Sequence, residues 1–479
     1  MTKQAGISMG IVTAVVLAAG YGMYFWMTLE PVLPVGVRYA DVEAEIDAGT
    51  WGNKSGGGED VNIEGTFKMF EGEAAGESQS WSNFRGEDFS NVVKNSVPLA
   101  NSWPEGGPPV MWKVKLGEGH GGAAVLDGRV YILDYDEEEK GDALRVFSLK
   151  TGEEIWRRWY KAPTKRNHGV SRTVPAVTEK YTVTIGPRCY TMCVDTETGE
   201  YRWGIDMVAD YGTDVPLWYT GQNPIIDNGV AVLAPGGTAL MMGVDCETGE
   251  VVWETPNPDK WRMSHSSIIP MTLHGKRTYV YCTMGGVVGV SAEPEDLGTL
   301  LWKSNEWSGS VISPSPVQID ESRIFLTAGY GTGSMMMEVK KEGDAFSAAP
   351  IYALSVKEFG CEQQTPIFYK ENIFAIMPKD AAALRGQFVC MNPDGKLVWT
   401  SGQTERYGLG PFLIADDKIF ILNDNGIMTL INASLEGFTK LAESRVVPGH
   451  DAWGPMALVD GLLLLRDSKY MLCLDVRAH

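Results

Sequence analysis

The chain has 479 residues, and its 61 acidic against 41 basic side chains leave a net charge of −20. That balance excludes the basic stripe by which a protein grips nucleic acid, and it leaves no cationic patch for anionic lipid. The length suffices for one large core, while seven cysteines, an odd number, cannot all pair within a single exported chain.

In chain order, Gly6 to Leu29 carries no charge and is mostly apolar, close to the roughly 20 residues that a helix needs to cross a bilayer. Lys3 before it, with Glu30 and Asp41 beyond, predicts an N-terminus kept in the cytoplasm and an exported remainder. Residues 1–30 are therefore expected to form a transmembrane signal anchor. A signal peptide cleaved near Ala18-Ala-Gly20 is the competing reading, although the apolar run continues through Tyr21 to Leu29. No cysteine lies near enough for lipid attachment. Residues 31–80 read as an acidic, glycine-rich tether, with ten acidic residues against Lys54 and Lys68 between Asp41 and Gln79. Inside it, Val61 to Phe70 has the pattern of a short strand or a partner-binding strip, and Arg38 to Ile46 that of a short helix. Residues 81–109 form a lead-in segment, followed by a repeat region over 110–479.

The repeats are marked by Pro175, Pro224, Pro270, Pro316, Pro366, Pro411 and Pro455, at intervals of 49, 46, 46, 50, 45 and 44 residues. Each opens a short apolar run. In the second unit Pro175-Ala-Val leads to Tyr181–Ile185, Cys189–Asp195, Thr198-Gly199-Glu200 and Tyr201-Arg-Trp203. The third unit follows it step for step, through Gly229–Leu233, Met241–Asp245, Thr248-Gly249-Glu250 and Val251-Val-Trp253. Runs of four to seven apolar and β-branched residues broken by Gly, Asp or Asn predict four strands per unit. A module that cannot bury its own apolar face must stack on its neighbours. The last unit, Pro455 to His479, supplies only three strands. Val110–Leu116 has the pattern of an outermost strand without a blade, so pairing it with the last three strands predicts a closed ring.

Asp195-Thr-Glu-Thr-Gly-Glu-x-x-Trp203 and Asp245-Cys-Glu-Thr-Gly-Glu-x-x-Trp253 resemble the tryptophan-docking repeat of the pyrroloquinoline quinone (PQQ)-like eight-bladed propellers. Trp81-Ser-Asn-Phe-Arg-Gly86 resembles a motif of the secreted, non-dehydrogenase members, and the resemblance runs from about Trp81 to His479. It implies an all-β, eight-bladed propeller of four-stranded antiparallel blades, similar in fold to the propeller lipoprotein of the outer-membrane β-barrel assembly machinery. Trp156, Trp203, Trp253, Trp302 and Trp399 are read as structural docking residues, large areas packed against the neighbouring blade.

The same fold serves PQQ-dependent dehydrogenases, which the resemblance equips with a vicinal disulfide and a calcium site held by Glu, Asn and Asp. This chain has no Cys-Cys pair and is shorter than those enzymes, so neither a cofactor, a metal nor an enzymatic activity is assigned, with PQQ kept as the alternative. Cys189 and Cys193 lie about 13 Å apart on one predicted strand at roughly 3.3 Å per residue, too far for a disulfide. His120, His168, His265, His274, His450 and His479 show no zinc spacing. Gly329-Tyr-Gly-Thr-Gly333 reads as a hairpin turn rather than a phosphate cradle.

Repeat register places the residues just before each innermost strand around one mouth of the central channel. These are His120; His168 and Arg172; Trp218, Tyr219 and Gln222; His265; Ser310 and Ser313; Glu362, Gln363 and Gln364; Arg406 and Tyr407; and His450, Asp451 and Trp453. Their polar and aromatic character suits a peptide loop or small ligand, and a water-filled channel mouth is the plainer alternative. The resulting expectation is a non-catalytic propeller on a single-pass anchor in a bacterial inner membrane. Facing the periplasm, it would act as a scaffold for periplasmic or membrane proteins. A quinoprotein using the funnel is the alternative.

Overall fold

The structure, a computed structural model, describes residues 61–478. The expected anchor, its cleavage site, the expected helix Arg38 to Ile46 and the tether up to residue 60 lie outside the described residues. Among the described residues no helix is long and apolar enough to cross a membrane.

Eight antiparallel sheets follow one another along the chain. Blade 1 runs Ala124–Leu126, Arg129–Asp136, Gly141–Ser148 and Glu154–Lys161, and blade 2 runs Ala176–Val177, Tyr181–Ile185, Tyr190–Asp195 and Tyr201–Asp206. Blades 3 to 7 repeat the meander, opening with Ile225–Asp227, Ile269–Leu273, Val317–Gln318, Ile367–Tyr369 and Phe412–Ala415. The first strands of neighbouring blades lie side by side, which puts them around the axis. Blade 8 is Ala457–Val459, Leu462–Arg466 and Tyr470–Asp475, completed by Val110–Lys115. The register sets Val110 opposite Leu474 and Lys115 opposite Tyr470, with a bulge between Val110 and Trp112. The ring is thus closed by hydrogen bonds between segments more than 350 residues apart, as the unpartnered strand predicts.

The core is a set of seams, each drawn from two adjacent blades, rather than one nucleus. Leu144, Val146 and Trp156 of blade 1 meet Val177, Met192 and Val194 of blade 2. Trp203 of blade 2 meets Leu233, Met242 and Val244 of blade 3. The Thr-Gly turns dictate how the tryptophans dock. Asp195 builds one by accepting from the backbone N–H of Glu197 and Thr198 through Oδ1, and Gly199 then turns with φ +68°. A Cβ there would lie 2.6 Å from Phe67 and 3.0 Å from Trp156 of the preceding blade. Gly152 meets Trp112, Gly249 meets Trp203 and Gly298 meets Trp253 in the same way. The Nε1 of Trp112, Trp203 and Trp399 donates to the carbonyls of Leu149, Cys246 and Ser434 of the next blade. In blade 5, which lacks a tryptophan, Tyr352 takes the place against Gly395.

Two segments upstream of the repeats add to the sheets. Thr66–Met69 pairs antiparallel with the outer strand of blade 1, Thr66 opposite Trp159 and Met69 opposite Trp156. Phe67 sits over Arg158 and Trp156, and Ile63 is buried against Gly204 of blade 2. The last part of the expected tether is therefore a docked fifth strand, because its apolar alternation finds an unpaired edge. All seven cysteines are buried and unpaired, so the thiols serve as small apolar side chains.

Gly199→Ala should destabilise the fold by about 1–3 kcal/mol, since it combines a left-handed backbone with a clash against a docked tryptophan. Gly229→Ala, at φ +78° with nothing within 4 Å of the new methyl, should cost only about 1 kcal/mol. Urea denaturation of the two variants tests this, and equal losses would remove the close tryptophan contact as the reason for glycine at position 199.

Candidate functional site

The channel is built around a belt of blade-to-blade hydrogen bonds. The Val174 N–H donates to Asn223 Oδ1 at 2.6 Å, the Asn223 N–H to Ser267 Oγ at 3.0 Å, the Ser267 N–H to Ser315 Oγ at 3.1 Å and the Ser315 N–H to Thr365 Oγ1 at 2.9 Å. Each donor stands just before an innermost strand, where a buried amide would otherwise be orphaned. At the seam between blades 8 and 1, buried Arg466 takes over this role, donating to the carbonyls of Gly117 and Gly121.

The lead-in segment enters this ring. Trp81 pairs with Val125 of the innermost strand of blade 1, and the Ser82 carbonyl accepts from the Val177 N–H of blade 2 at 2.9 Å. Arg85, buried, donates to the carbonyls of Thr365 and Pro366 before blade 6 at 2.9 and 3.0 Å, and to Phe89 and Ser90 of its own loop. Burial lowers its pKa to about 9. Asn91 Nδ2 then donates to the Phe412 carbonyl, and Val92–Val93 runs parallel to Ile414 and Ala415 on the inner side of blade 7. Trp81 to Val93 is therefore a plug, and its innermost side chain, Phe84, becomes part of the funnel floor.

Above the plug is a cavity of about 120 Å³. Of the residues expected at this mouth, His120, Arg172, Trp218, His265, Ser313, Gln363, Gln364 and Trp453 line it. Arg172 donates through Nε to the Trp218 carbonyl at 2.6 Å and through Nη2 to the carbonyls of Asn167 and His168 at 2.8 and 3.0 Å. Desolvation of this half-buried guanidinium lowers its pKa to about 10. The Trp218 ring stacks on His265 at 6.4 Å, and His120 lies 5.0 Å from Trp453. Burial and the nearby charge of Arg172 push His265 down to about 3 and His120 well below the usual range, so both imidazoles are neutral at ordinary pH.

The remaining expected residues have other places. Gln222 is buried inside blade 3, donating to the Ala234 carbonyl and to Tyr281 Oη. Tyr407 is buried edge-on against Phe388. Arg406 is exposed and donates to Gln403. His168 contributes its carbonyl, which accepts from Arg172 and lies 2.9 Å from His120 Nε2. Tyr219 reaches the Lys165 carbonyl, and exposed His450 pairs with Asp451 at 3.0 Å. Repeat register fixes position along the chain but not the direction of a loop side chain. Phe84 and Tyr330 also line the cavity, with the Tyr330 ring 5.9 Å from Trp218. Tyr330 belongs to the Gly329–Gly333 turn, whose glycines signalled only the turn itself.

Residues 139–344 match the family described as outer membrane protein assembly factor BamB. The chain is also similar to the crystal structure of BamB from Moraxella catarrhalis, at 11% identity and a TM-score of 0.53, over 77% of this chain and 99% of that one. The chain resembles the PQQ-like propellers in these residues and shares the propeller fold of BamB. A computationally designed protein, Ika8, is similar at 10% identity and a TM-score of 0.50, over 78% of this chain and 99% of that one. Quinohemoprotein alcohol dehydrogenase from Comamonas testosteroni has 10% identity and a TM-score of 0.48, over 84% and 81%. No curated protein matches the chain.

The residues of this propeller do not fit the quinone cofactor and its metal. No carboxylate lines the cavity, and among the described residues no cluster of three or more His, Cys, Asp or Glu could hold a metal ion. About 120 Å³ is also well below the ~300–1,000 Å³ typical of cofactor and drug-sized ligand sites.

The neutral histidine has a measurable consequence. Below the unfolded pKa of 6.5 the unfolded chain takes up a proton that folded His265 refuses until about pH 3. Its contribution to stability therefore falls as pH drops through that window. The stability difference between wild type and His265→Gln should shift in favour of the variant from pH 6.5 towards pH 4 and be flat above about pH 7. Denaturant titrations across that range check this, and a constant difference would mean a solvated, chargeable imidazole.

Proposed function

We propose that this protein is a non-catalytic scaffold or accessory subunit of a bacterial envelope complex. The observation that carries the reading is the state of the blade edges. Blade 1 has its outer strand covered by Thr66–Met69, whereas blades 3 and 6 end in uncovered strands, Val251–Pro256 and Leu397–Thr400. These carry exposed apolar pairs, Val251 and Val252 at 42% and 51% and Leu397 and Val398 at 38% and 46%. An unpaired edge with exposed apolar residues is a template for strand addition by a partner.

Residues 1–30 would hold the propeller at the inner membrane as a single-pass anchor, with the propeller in the periplasm. The apolar run Gly6–Leu29 supports the anchor, and the family description of an outer membrane assembly factor supports an envelope location only. Secretion after cleavage near Gly20 is the alternative for the N-terminus, and a quinoprotein, the alternative for the funnel, is disfavoured by a cavity wall without a carboxylate.

Tagged full-length protein purified in mild detergent should bring down envelope subunits at fixed stoichiometry. Val252→Lys should abolish at least one of them without lowering the melting temperature. A protein that purifies alone with a quinone-like absorbance would overturn the scaffold reading.

A further inference from the structure

We propose that the funnel above the plug is a binding site for a single small carboxylate, held by Arg172. Arg172 is the only formally charged side chain on the cavity wall, and no acidic residue faces it there. Its hydrogen bonds all go to backbone carbonyls, through Nε and Nη2, and Nη1 takes part in none of them. Arg172 is half-buried, unlike Arg85 and Arg466, which are buried and likewise held by carbonyls, so its charge still faces the cavity, where an opposite charge compensates it best. The three carbonyls fix its orientation and leave the charge itself unbalanced.

The wall suits a monoanion of few atoms. The amide of Gln363 makes no hydrogen bond to the described residues and is available as a second donor. His265 and Trp218, stacked on each other, form an uncharged flat side. Phe84 closes the floor, so a ligand enters and leaves by the same mouth. About 120 Å³ suits an acetate-sized group and lies below the ~300–1,000 Å³ typical of drug-sized ligands. The low dielectric of a plugged cavity strengthens the pairing. This site goes beyond the scaffold reading, since none of its residues lies on an outer blade edge.

Such a carboxylate could be a free metabolite-sized acid or the C-terminus of a peptide, and calorimetry distinguishes them. Full-length protein would be titrated with acetate, with N-acetylglycine as a C-terminal mimic, and with N-acetylglycinamide as the neutral control. Saturable binding of a carboxylate probe and none of the amide is expected. A similar affinity for both acids assigns a free acid, and a clear preference for N-acetylglycine assigns a peptide terminus. Arg172→Gln should weaken binding at least about tenfold, the loss of a charge-assisted hydrogen bond. Because Arg172 also ties the Asn167–Trp218 loops, Gln363→Leu serves as the second variant, expected to keep the melting temperature and to weaken binding severalfold. Absence of binding by the wild type, equal binding of the amide, or undiminished affinity in a folded Arg172→Gln or Gln363→Leu variant would each overturn the proposal.

Discussion

The closure of the last blade is the constraint on which the rest depends. Val110–Lys115 must pair with Tyr470–Asp475, or eight mutually supporting blades become an open stack with two raw edges. Closure fixes the circumference, and the circumference fixes how near the innermost strands approach the axis. The belt from Val174 to Thr365 and the Arg466 clasp follow from that spacing. So does a channel narrow enough for one loop to fill.

Much of this architecture was legible in the sequence, because a repeat states its structure several times over. Seven prolines and the Thr-Gly-Glu turns set the blade period, and a strand lacking a blade set the closure. The plug was not legible. Trp81 to Val93 has neither the period of a strand nor that of a helix, and Arg85 finds its acceptors 280 residues downstream. The funnel was half legible for a related reason. His120, Arg172, Trp218, His265 and Trp453 face the cavity, but Gln222 turns inward to Tyr281 and Tyr407 to Phe388. A loop residue takes its direction from local hydrogen bonds, which a one-dimensional register does not contain. Phe84 and Tyr330 stand at the cavity because of contacts that only the closed ring creates.

The charge distribution separates two surfaces of different character. The exterior is acidic in keeping with the net charge of −20, while the cavity wall carries a cation, neutral histidines and no acid. Apolar pairs on the rims of blades 3 and 6 provide area, and the cavity provides polarity in a confined volume. Neither surface depends on a reactive thiol. Burial pushes the thiols of Cys282, Cys390 and Cys473 up to about 12, which keeps them protonated and inert.

The plug also orders events in time. Residues 61–115 leave the ribosome before the downstream strands that hold them exist. The edge strand needs the outer strand of blade 1, Arg85 needs blade 6, Gln79 needs Asp460, and Val110–Lys115 needs the final strand of the chain. Thr66–Met69 can dock once blade 1 is complete, but the Arg85 loop and the closing strand Val110–Lys115 wait for blades 6 and 8, so the ring stays incomplete until synthesis nears its end.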